Sequence, residues 1–569
     1  MKKSKGKEIW IKEFDDRSYR SILKWGDPKE FKHPKPELLD FMKEVFGLTD
    51  NDLSKTYKPG LEKVVLNIGC RIPGHKIVEL KNIVGEDNVS IDDYDRAKHA
   101  YGKMFLDALK LRLNEVPNPP DVVVYPRNEE DVKSVVRYCD DNGIVIVPAG
   151  AMSSVTRAIE FPGGGVCLDL TRHMNKVIEI NELDSSVTVQ PGIFGPAFEE
   201  ILNNYKTESA PDGYTCGHFP QSFEFSTVGG WIAARGAGQQ STGYGKIENI
   251  VLGMKVMTPS GPVNIEPYPA KATGPDIGQL MIGSEGIYGV ITEATLKLRR
   301  FGPDNRRYFS YMFKTWQDAV DTCREIMQGE FGTPSVLRIS DPEETMIGLK
   351  LYGLDGTAVD KIISAMGYKP MKRCLMLGST EGDADAGELI KSKVKNIAKK
   401  NGGFAMGGIP VKSWWKNRYK DPYMREDLMD LNIMTDTLET SVRWSNLMEV
   451  WENVRKVVKS RPNTACTVHA SHFYENGANL YFIFLSKMEK GNEVEDYKEY
   501  HTSIVSAIRN SGGTLSHHHC VGRMLAPWML NQVGAVGIDI IEAVKKQVDP
   551  NNIMNPGGTL GIGYEGDIR

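Results

Sequence analysis

The sequence predicts an α+β fold built from several domains. Its 569 residues exceed what one hydrophobic core supports, so two to four domains are expected. Short apolar runs of strand type alternate with amphipathic helix patterns from residue 122 onward. Beyond residue 302, helix patterns alternate with longer strands, which fits an antiparallel sheet with helices on one face.

Composition and charge are those of a soluble globular protein without a nucleic-acid partner. Apolar residues make up 40% of the chain and charged residues 25%, and the net charge of −4 gives no electrostatic reason to expect nucleic acid. Eight scattered cysteines without a C-x-x-C pair favour a reducing compartment. No apolar run approaches the roughly 18 residues of a membrane span. The basic N-terminus lacks the apolar core of a secretory signal, so we expect a cytoplasmic protein.

Residues 1–116 predict a helical N-terminal extension, and the Asn-Pro-Pro sequence at 118–120 marks its boundary. Strands are predicted at 122–125 and 144–147, with a helix between them at 128–142 that has an acidic first turn. The second strand runs into PAGAMSS at 148–154, a turn rich in small residues. Such a turn can present backbone N–H groups to a phosphate, and a plain strand-to-loop turn has the same pattern.

Three further strands are predicted at 166–170, 177–180 and 187–189, ahead of two stretches punctuated by glycine. The first, QSFEFSTVGGW at 221–231, has paired glycines that let the backbone approach a flat ligand. The second, GSEGIYGVIT at 283–292, is a turn that runs into a strand.

Three histidines beside a thiol stand near the end of the chain, in SHHHCVG at 516–522. If this run is extended, alternate side chains face opposite ways, so that His517 and His519 share one face and His518 and Cys520 the other. Imidazoles change charge near neutral pH, so the run suits proton transfer. A polar turn or a metal site would give the same pattern.

Residues 303–510 predict the second α+β region. Helix patterns at 316–328 and 388–401 alternate with strands at 372–378 and 479–485. On pattern alone, Arg338 and Arg425 would form surface ion pairs and Tyr481 would be an ordinary strand aromatic. The segment VKSWWKNRYKDPYMR at 411–425 mixes aromatic with basic residues, which is typical both of a membrane interface and of a mobile loop over an active site.

Together these motifs resemble flavoproteins of the vanillyl-alcohol oxidase / para-cresol methylhydroxylase type, and within them the alkyldihydroxyacetonephosphate synthases. The resemblance covers residues 120–552 and rests on 223–231, the Thr-Gly-Pro-Asp sequence at 273–276, 283–293 and the His triplet, in the family's order. It implies a two-part FAD-binding domain at 117–302, a substrate-binding cap with an antiparallel sheet at 303–510, and a C-terminal segment at 511–569 that carries the triplet.

The resemblance also implies bound FAD, held noncovalently because the first loop contains no histidine. Where the family usually has consecutive glycines, this loop has alanine and methionine around one glycine, so we expect a reshaped loop or a shifted cofactor. The implied FAD contacts are Pro148, Ala149, Gly150, Ala151, Met152, Ser153, Ser154, Gln221, Ser222, Phe223, Glu224, Phe225, Ser226, Thr227, Ala234, Arg235, Gly236, Ala237, Glu285, Gly286, Ile287, Tyr288, Gly289, Val290 and Ile291.

The activity implied by the resemblance is a redox-neutral exchange on a lipid substrate. The acyl group of acyl-dihydroxyacetone phosphate would leave as a carboxylate and a fatty alcohol would replace it, through a flavin N5 adduct. Tyr481 and the triplet His517, His518 and His519 would move protons. Arg425 and Arg338 match arginines of the active site, with Arg425 on the substrate phosphate, and guanidinium suits such a dianion. Relatives often dimerise, so a homodimer is expected, together with peripheral membrane contact through 411–425.

The main alternative is an FAD-dependent dehydrogenase of a 2-hydroxyacid or another alcohol on the same fold. Such relatives polarise their substrate with a metal, and Tyr481 and His518 stand where they carry a ligand histidine and a carboxylate. We therefore predict no metal, although His469, His472 and His518 leave a different metal site open. Cys520, where the family has glycine, and a divergent C-terminal end favour another substrate. A catalytically silent flavoprotein or lipid-binding scaffold is a third hypothesis.

Overall fold

The computed structural model describes residues 10–561, which form two compact units. The cap unit contains residues 10–63, 108–114 and 305–514. The other unit contains 64–107, 115–304 and 515–561 and is called the two-sheet unit after its two larger sheets, beside which the strands Tyr214–Thr215 and Arg299–Arg300 form a two-stranded one. This division groups the C-terminal segment with residues 115–304 and shares the N-terminal extension between the two units. The sequence-based domains treated both segments as separate pieces.

The helices of the described residues begin and end as follows: α1 Tyr19–Leu23, α2 Pro36–Phe46, α3 Gly74–Val84, α4 Asp93–Lys98, α5 Phe105–Arg112, α6 Glu129–Asp141, α7 Gly195–Asn204, α8 Val228–Ala233, α9 Ser241–Tyr244, α10 Ile247–Ile250, α11 Ile277–Met281, α12 Trp316–Met327, α13 Pro342–Leu351, α14 Ala358–Ala365, α15 Ala384–Lys400, α16 Ile409–Asn417, α17 Arg425–Asp430, α18 Leu447–Lys459, α19 Glu493–Asn510, α20 Gly522–Leu525, α21 Met529–Val548 and α22 Gly558–Gly561. Short 3-10 helices lie at Glu86–Asn88, Phe223–Phe225, Pro303–Asn305, Asp421–Met424, Trp444–Asn446 and Ala526–Trp528.

The strands are β1 Val89–Ser90, β2 Val122–Val124, β3 Ile146–Ala149, β4 Val166–Asp169, β5 Val177–Asn181, β6 Ser186–Val189, β7 Tyr214–Thr215, β8 Val251–Thr258, β9 Gly261–Ile265, β10 Val290–Lys297, β11 Arg299–Arg300, β12 Arg307–Phe313, β13 Val336–Ser340, β14 Cys374–Thr380, β15 Phe404–Ala405, β16 Ile433–Arg443, β17 Thr464–Ala470, β18 Phe473–Tyr474 and β19 Gly477–Lys487. Every strand and helix predicted between residues 122 and 189 is present, with ends shifted by at most two residues.

The first sheet of the two-sheet unit has the order β1-β2-β4-β3. β4 pairs in parallel with both β2 and β3, and β1 is antiparallel to β2. β2 and β4 are buried along their whole length, as expected of parallel strands covered on both faces. α6 packs on this sheet through Val132, Val135 and Val136, and Asn128 caps it by accepting a bond from the N–H of Asp131.

The second sheet of this unit is antiparallel, in the order β5-β6-β10-β8-β9. It contributes Met257 and Val290 to the same hydrophobic core as the first sheet. The C-terminal segment joins that core through Ile553 and Met554. Beside β3, the N–H of Asn555 donates to the carbonyl of Ile146 over 2.8 Å. The C-terminal segment is therefore an integral part of the two-sheet unit.

The cap unit is organised around one antiparallel sheet in the order β15-β12-β14-β13-β17-β19-β16, with β18 also paired to β19. The predicted α+β class with an antiparallel cap is confirmed. The predicted strand at 479–485 is the centre of β19, and the predicted helix at 316–328 is α12. Along β19, buried residues alternate with partly exposed ones from Leu480 onward, as a strand with one core face requires.

The N-terminal residues of the cap unit are tied to α17 by buried ion pairs. Arg20 and Arg112 both bond to Asp430, over 2.9 and 2.8 Å, and all three side chains are at most 2% exposed. Leu38, Met42 and other apolar residues of α2 share a core with Leu428. The part of the N-terminal extension that belongs to the cap unit therefore packs on α17.

α21 is the most exposed apolar helix of the two-sheet unit. Among the described residues, Gly522–Val548 is the one helical stretch with the length and composition of a membrane span, and 28% of its apolar window is buried. Leu530, Val536 and Ile540 are 57–72% exposed. Gly534 interrupts the helix with a φ of 75°, so the stretch is not one continuous straight helix.

Candidate active site

The His triplet forms a loop of the two-sheet unit immediately before α20. The ring centroids of His517 and His518 are 5.2 Å apart and those of His518 and His519 4.5 Å apart. Because consecutive rings touch, the run is not extended, and the alternation of faces considered from the sequence does not apply. The Nδ1 atoms of His517 and His518 are 3.0 Å apart, so one ring donates to the other. A proton can pass between the two rings, and the catalytic role of the triplet stays a prediction.

The main chain of the triplet is held by polar side chains of the same unit. Nζ of Lys246 donates to the carbonyl of His517 over 2.6 Å, and Oγ1 of Thr156 donates to the carbonyl of His519 over 3.4 Å. Oγ of Ser516 accepts from the N–H of His519 over 3.1 Å. These anchors use backbone atoms, so the imidazole nitrogens are left to other interactions.

A buried carboxylate fixes the turn that follows the triplet. The N–H of Gly522 donates to both oxygens of Glu285, over 2.9 and 3.1 Å, and Oγ1 of Thr559 donates to it over 2.7 Å. Gly522 has a φ of 55°, and a Cβ there would lie 1.9 Å from the carbonyl oxygen of Thr156. Burial raises the pKa of Glu285, against the opposing effect of these donors. The side chain of Glu285, a predicted FAD contact, thus accepts hydrogen bonds from Gly522 and Thr559 of the protein itself.

Cys520 fills the position where the family has glycine. Its φ of 67° lies in the left-handed region that glycine adopts easily. The thiol donates to the carbonyl of Gly283 over 3.3 Å. Burial, and next the nearby Glu285, raise the pKa of the thiol. Cys520 is therefore a neutral packing residue between the triplet and the 283–291 turn rather than an activated nucleophile.

The four stretches predicted to contact FAD lie together in the two-sheet unit. Residues 148–154 follow from β3, 221–227 lead into α8, 234–237 follow α8, and 285–291 run into β10. A Cβ at Gly150 would lie 2.4 Å from Oγ1 of Thr227, and one at Gly286 would lie 3.0 Å from Cδ of Pro148. The N–H of Glu285 donates to the carbonyl of Ala233. Segments far apart in the sequence thus approach closely enough that glycine is required.

Three residues of these turns have a left-handed backbone conformation. Met152, Arg235 and Glu285 have φ values of 58°, 50° and 50°, which non-glycine residues rarely adopt. We expected methionine to restrict the backbone of the first loop. Met152 nevertheless adopts the left-handed conformation that glycine would favour. Such turns direct backbone N–H groups to one side, which suits the diphosphate of a dinucleotide.

A buried histidine beside these turns fits a bound cofactor as well. His218 is 1% exposed, and among the described residues neither ring nitrogen has a hydrogen-bond partner. Its ring lies 4.9 Å from that of Trp231, and burial lowers its pKa to about 3, so the ring is neutral. Buried polar atoms in native proteins are usually paired, and a ligand or an ordered water would pair these two. His218 lies three residues before Gln221, and no sequence motif distinguishes it.

In the cap unit, the predicted catalytic tyrosine lies in a row of polar residues across the sheet. Tyr481 on β19 pairs with His469 on β17 and with Glu439 on β16, and His469 pairs with Ser340 on β13. Residues opposite one another on neighbouring strands face the same side of a sheet. Arg338 is two residues from Ser340, so it belongs to the same face.

Tyr481 is held as a neutral phenol. Its hydroxyl donates to Oγ1 of Thr437 over 3.1 Å. Burial raises its pKa above the ordinary value, and Thr437 and Arg338 oppose this without reversing it. A phenol acts as a base only when its pKa is lowered, and within the described cap unit the pKa of Tyr481 moves the other way. Tyr481 is therefore suited to donate a hydrogen bond or a proton.

Arg338 is engaged within the cap face. Nη2 of Arg338 donates to Glu344 over 2.7 Å, and the same carboxylate oxygen lies 3.1 Å from Nδ1 of His469. Burial alone would raise the pKa of Glu344, but His469 and Arg338 outweigh it and lower the pKa to about 2. Glu344 is therefore ionised. It did not figure in the sequence analysis, because only the pairing of β13 with β17 brings it to His469.

Arg425 is buried at the start of α17. Its Nη2 donates to the carbonyl of Leu23 over 2.7 Å, and its guanidinium carbon lies 5.6 Å from the Trp25 ring centroid. Its charge also acts on Asp436 of β16, where burial raises the pKa to about 6 and Arg425 opposes the rise. The phosphate-binding role of Arg425 and Arg338 stays a prediction, since guanidinium offers further donors.

Comparisons with known proteins agree with this arrangement. Residues 120–264 match the family "FAD binding domain", and residues 302–559 match "FAD linked oxidases, C-terminal domain". The alkyldihydroxyacetonephosphate synthase of Dictyostelium discoideum is 31% identical over 94% of this chain and 92% of its own length. That of Trypanosoma brucei brucei is 29% identical over 93% and 88%. A solved alkyldihydroxyacetonephosphate synthase structure superposes with a TM-score of 0.78 at 29% identity, covering 95% of this chain and 99% of that one.

Proposed function

This chain belongs to the alkyldihydroxyacetonephosphate synthase family of FAD-dependent enzymes, and we propose that it exchanges the acyl group of an acyl-dihydroxyacetone phosphate for a fatty alcohol. The predicted family and the predicted cofactor are confirmed. The observation that carries the proposed reaction is the match to a synthase along 94% of the chain.

The residues of the two-sheet unit fit FAD. The turns at 148–154, 234–237 and 285–291 would receive its diphosphate and ring system, and His218 supplies a neutral imidazole for a polar atom. When bound, the flavin supplies an electron-accepting ring for activation of the substrate carbon. The protein's own contribution is to position that substrate and to move its protons.

The exchange breaks one C–O bond and forms another at the same carbon. The carboxylate leaves C1 with its electron pair, and the alcohol oxygen bonds to C1 after losing its proton, so no electrons are gained or lost overall. Proton carriers are therefore needed, and His517 and His518 are in hydrogen-bond contact through Nδ1. His519 lies in the same loop. In the cap unit, the neutral phenol of Tyr481 is a further proton carrier, and Arg425 and Arg338 would bind the phosphate.

The experiment that tests this proposal compares two substrate classes on the same protein. The purified protein should be yellow with the spectrum of oxidised flavin. We expect an ether product from acyl-dihydroxyacetone phosphate with a long-chain alcohol under anaerobic conditions, and no flavin bleaching by D-lactate or glycolate. Bleaching by these 2-hydroxyacids without any ether product would overturn the proposal in favour of a dehydrogenase. A colourless protein that takes up no FAD would overturn both readings.

We also propose that the enzyme contacts membranes through residues 411–425. On α16, Ile409 is 80% exposed, and Lys412 and Lys416 are exposed one and two turns further along the helix. An apolar side chain beside two cations suits an anionic bilayer surface. Trp415 itself stacks with Arg306 and Arg418 inside the cap unit, so its ring is not part of that surface. Replacing both lysines by glutamate should abolish co-sedimentation of the holoenzyme with phosphatidylserine vesicles and should leave its flavin spectrum unchanged. Unchanged sedimentation would refute the contact.

We also propose that the protein is cytoplasmic and that it forms a homodimer. All eight cysteines are free thiols, which supports a reducing compartment such as the cytoplasm. The habit of relatives to dimerise supports a homodimer. Light scattering on the purified holoenzyme decides the second point, since a monomer at micromolar concentration would contradict it.

A further inference from the structure

His469 is a buried imidazole of the cap face that the exchange reaction described above does not use. It lies on β17 directly opposite Tyr481 on β19. The two rings are nearly parallel, with centroids 4.7 Å apart and planes inclined by 16°. His469 is 7% exposed. The imidazole therefore stacks face to face on the phenol of the predicted catalytic tyrosine.

Two charged residues orient this imidazole. Nδ1 of His469 bonds to Glu344 of α13 over 3.1 Å, and Glu344 is held in turn by Arg338 of β13 over 2.7 Å. A carboxylate on one nitrogen fixes the tautomer and the plane of an imidazole. Among the described residues, no hydrogen bond engages Nε2 of His469. Arg338, Glu344 and His469 thus form a chain that ends on Tyr481.

Burial favours the neutral form of His469. Burial, followed by the neighbouring guanidinium of Arg338, lowers the pKa of His469, and Glu344 opposes this. The titratable group that faces it from β19 is the neutral phenol of Tyr481, beyond which lies Glu439 on β16. A second proton on His469 would make its ring a cation. That cation would lie between the Arg338 guanidinium and the Tyr481 phenol, against which the His469 ring packs.

We propose that Arg338, Glu344 and His469 are positioning residues, which hold the Tyr481 phenol in its working place only while the His469 ring is neutral. This inference rests on the proposed function for its catalytic consequence. It also assigns Arg338 to the chain that orients Tyr481, in addition to any contact with the substrate phosphate.

The first test follows the protonation of His469 directly and does not require activity. In holoenzyme labelled with ¹³C at histidine Cε1, the His469 signal is assigned by its loss in His469→Phe. Glu344→Gln removes the charge that favours the imidazolium, so the His469 titration should move to lower pH by about one unit. Arg338→Gln removes the opposing charge and should move it to higher pH. A titration that stays in place in both variants would overturn the chain.

The second test links the chain to turnover. The rate of ether formation should fall on acidification through the His469 titration, and this acid limb should move to lower pH in Glu344→Gln. His469→Phe keeps a flat ring against Tyr481 without a titrating group, so the same limb should vanish while turnover at pH 8 stays within about tenfold. In Arg338→Gln, a positioning role lowers kcat, whereas a role confined to phosphate binding raises KM alone and would overturn the assignment.

Each variant must keep its flavin spectrum and its unfolding temperature, which separates these effects from misfolding. If the NMR titrations shift as expected and no variant or parent forms ether product, the proposed function fails while the chain stands. If ether product forms but the acid limb is the same in all variants, the inference fails while the proposed function stands.

Discussion

Burial decides the protonation states of single side chains at this site as much as neighbouring charges do. Tyr481 keeps its proton because its hydroxyl is buried against Thr437, and the Cys520 thiol keeps its proton for the same reason. On the cap face, Glu344 is ionised, because His469 and Arg338 lower its pKa to about 2. The groups able to transfer a proton are therefore the imidazoles and the phenol, whereas the carboxylate and the guanidinium carry the charge.

Replacement of Tyr481 tests its role as a donor. In Tyr481→Phe we expect ether formation to fall by roughly 10²–10⁴-fold, because the hydroxyl is lost and the ring remains. The flavin spectrum should not change. The matched control is Tyr311→Phe, a buried tyrosine of β12 in the same sheet, which should keep its activity. Full activity in Tyr481→Phe would refute the assignment.

Replacement of Cys520 tests whether its thiol is more than packing. Cys520→Gly relieves a left-handed backbone conformation but removes the contact with Gly283, so the stability should change by no more than about 1 kcal/mol. Activity should be retained. The measurement is the midpoint of chemical unfolding together with a turnover assay, and a loss of turnover by more than tenfold would show that the thiol has a function.

At the scale of elements, the carboxyl group of Glu199 joins α7 to the end of strand β7. It accepts bonds from Oγ1 of Thr215 and the N–H of Cys216, over 2.7 and 2.9 Å. Burial raises its pKa from 4.5 to about 7, against these bonds. Because the folded pKa lies above the unfolded one, the stabilisation is complete below about pH 4.5 and is lost as the pH rises to about 7.

Glu199→Gln should therefore flatten the pH dependence of stability. Relative to the mutant, the parent protein should lose roughly 3 kcal/mol of unfolding free energy between pH 4.5 and pH 8. Urea unfolding of the two proteins at several pH values measures this difference. The control is Glu200→Gln, on the exposed side of α7, for which no such difference is expected. Parallel pH profiles for Glu199→Gln and the parent would contradict the account.

The N-terminal segment and α17 are joined by Asp430, which pairs with two buried guanidinium groups. Asp430→Asn leaves Arg20 and Arg112 buried without their carboxylate and should destabilise the cap unit by about 3–5 kcal/mol. Asp50→Asn removes an exposed partner of Lys43 and should have an effect below about 1 kcal/mol. Equal unfolding midpoints for the two variants would show that the buried pairs do not hold the segment.

The elements were largely predictable, because apolar period and capping residues act locally. Asn128 and the acidic turn after it predicted α6 to within a residue, and the glycine-punctuated stretches coincide with the turns that meet in the two-sheet unit. The link from Glu344 to His469 was not predictable, since it depends on the register between β13 and β17. The conformation of the triplet depends likewise on distant anchors such as Lys246.

At the scale of the whole molecule, residues 10–561 form two units, each of which contributes chemically distinct groups. The two-sheet unit carries the turns that fit FAD and the His triplet, and the cap unit carries Tyr481 and the Arg338–Glu344–His469 chain. Tyr481 is a neutral phenol bonded to Thr437, so it can donate a proton. A redox-neutral exchange is the reaction that such groups serve.

The most direct test of this account is the stoichiometry of the exchange without an electron acceptor. The holoenzyme is incubated anaerobically with acyl-dihydroxyacetone phosphate that is labelled in its acyl group and with a differently labelled long-chain alcohol. The account predicts one fatty acid released for each ether formed, over many turnovers per flavin. Product limited to one equivalent per flavin until an electron acceptor is added would contradict it, and would identify the enzyme as a net oxidoreductase.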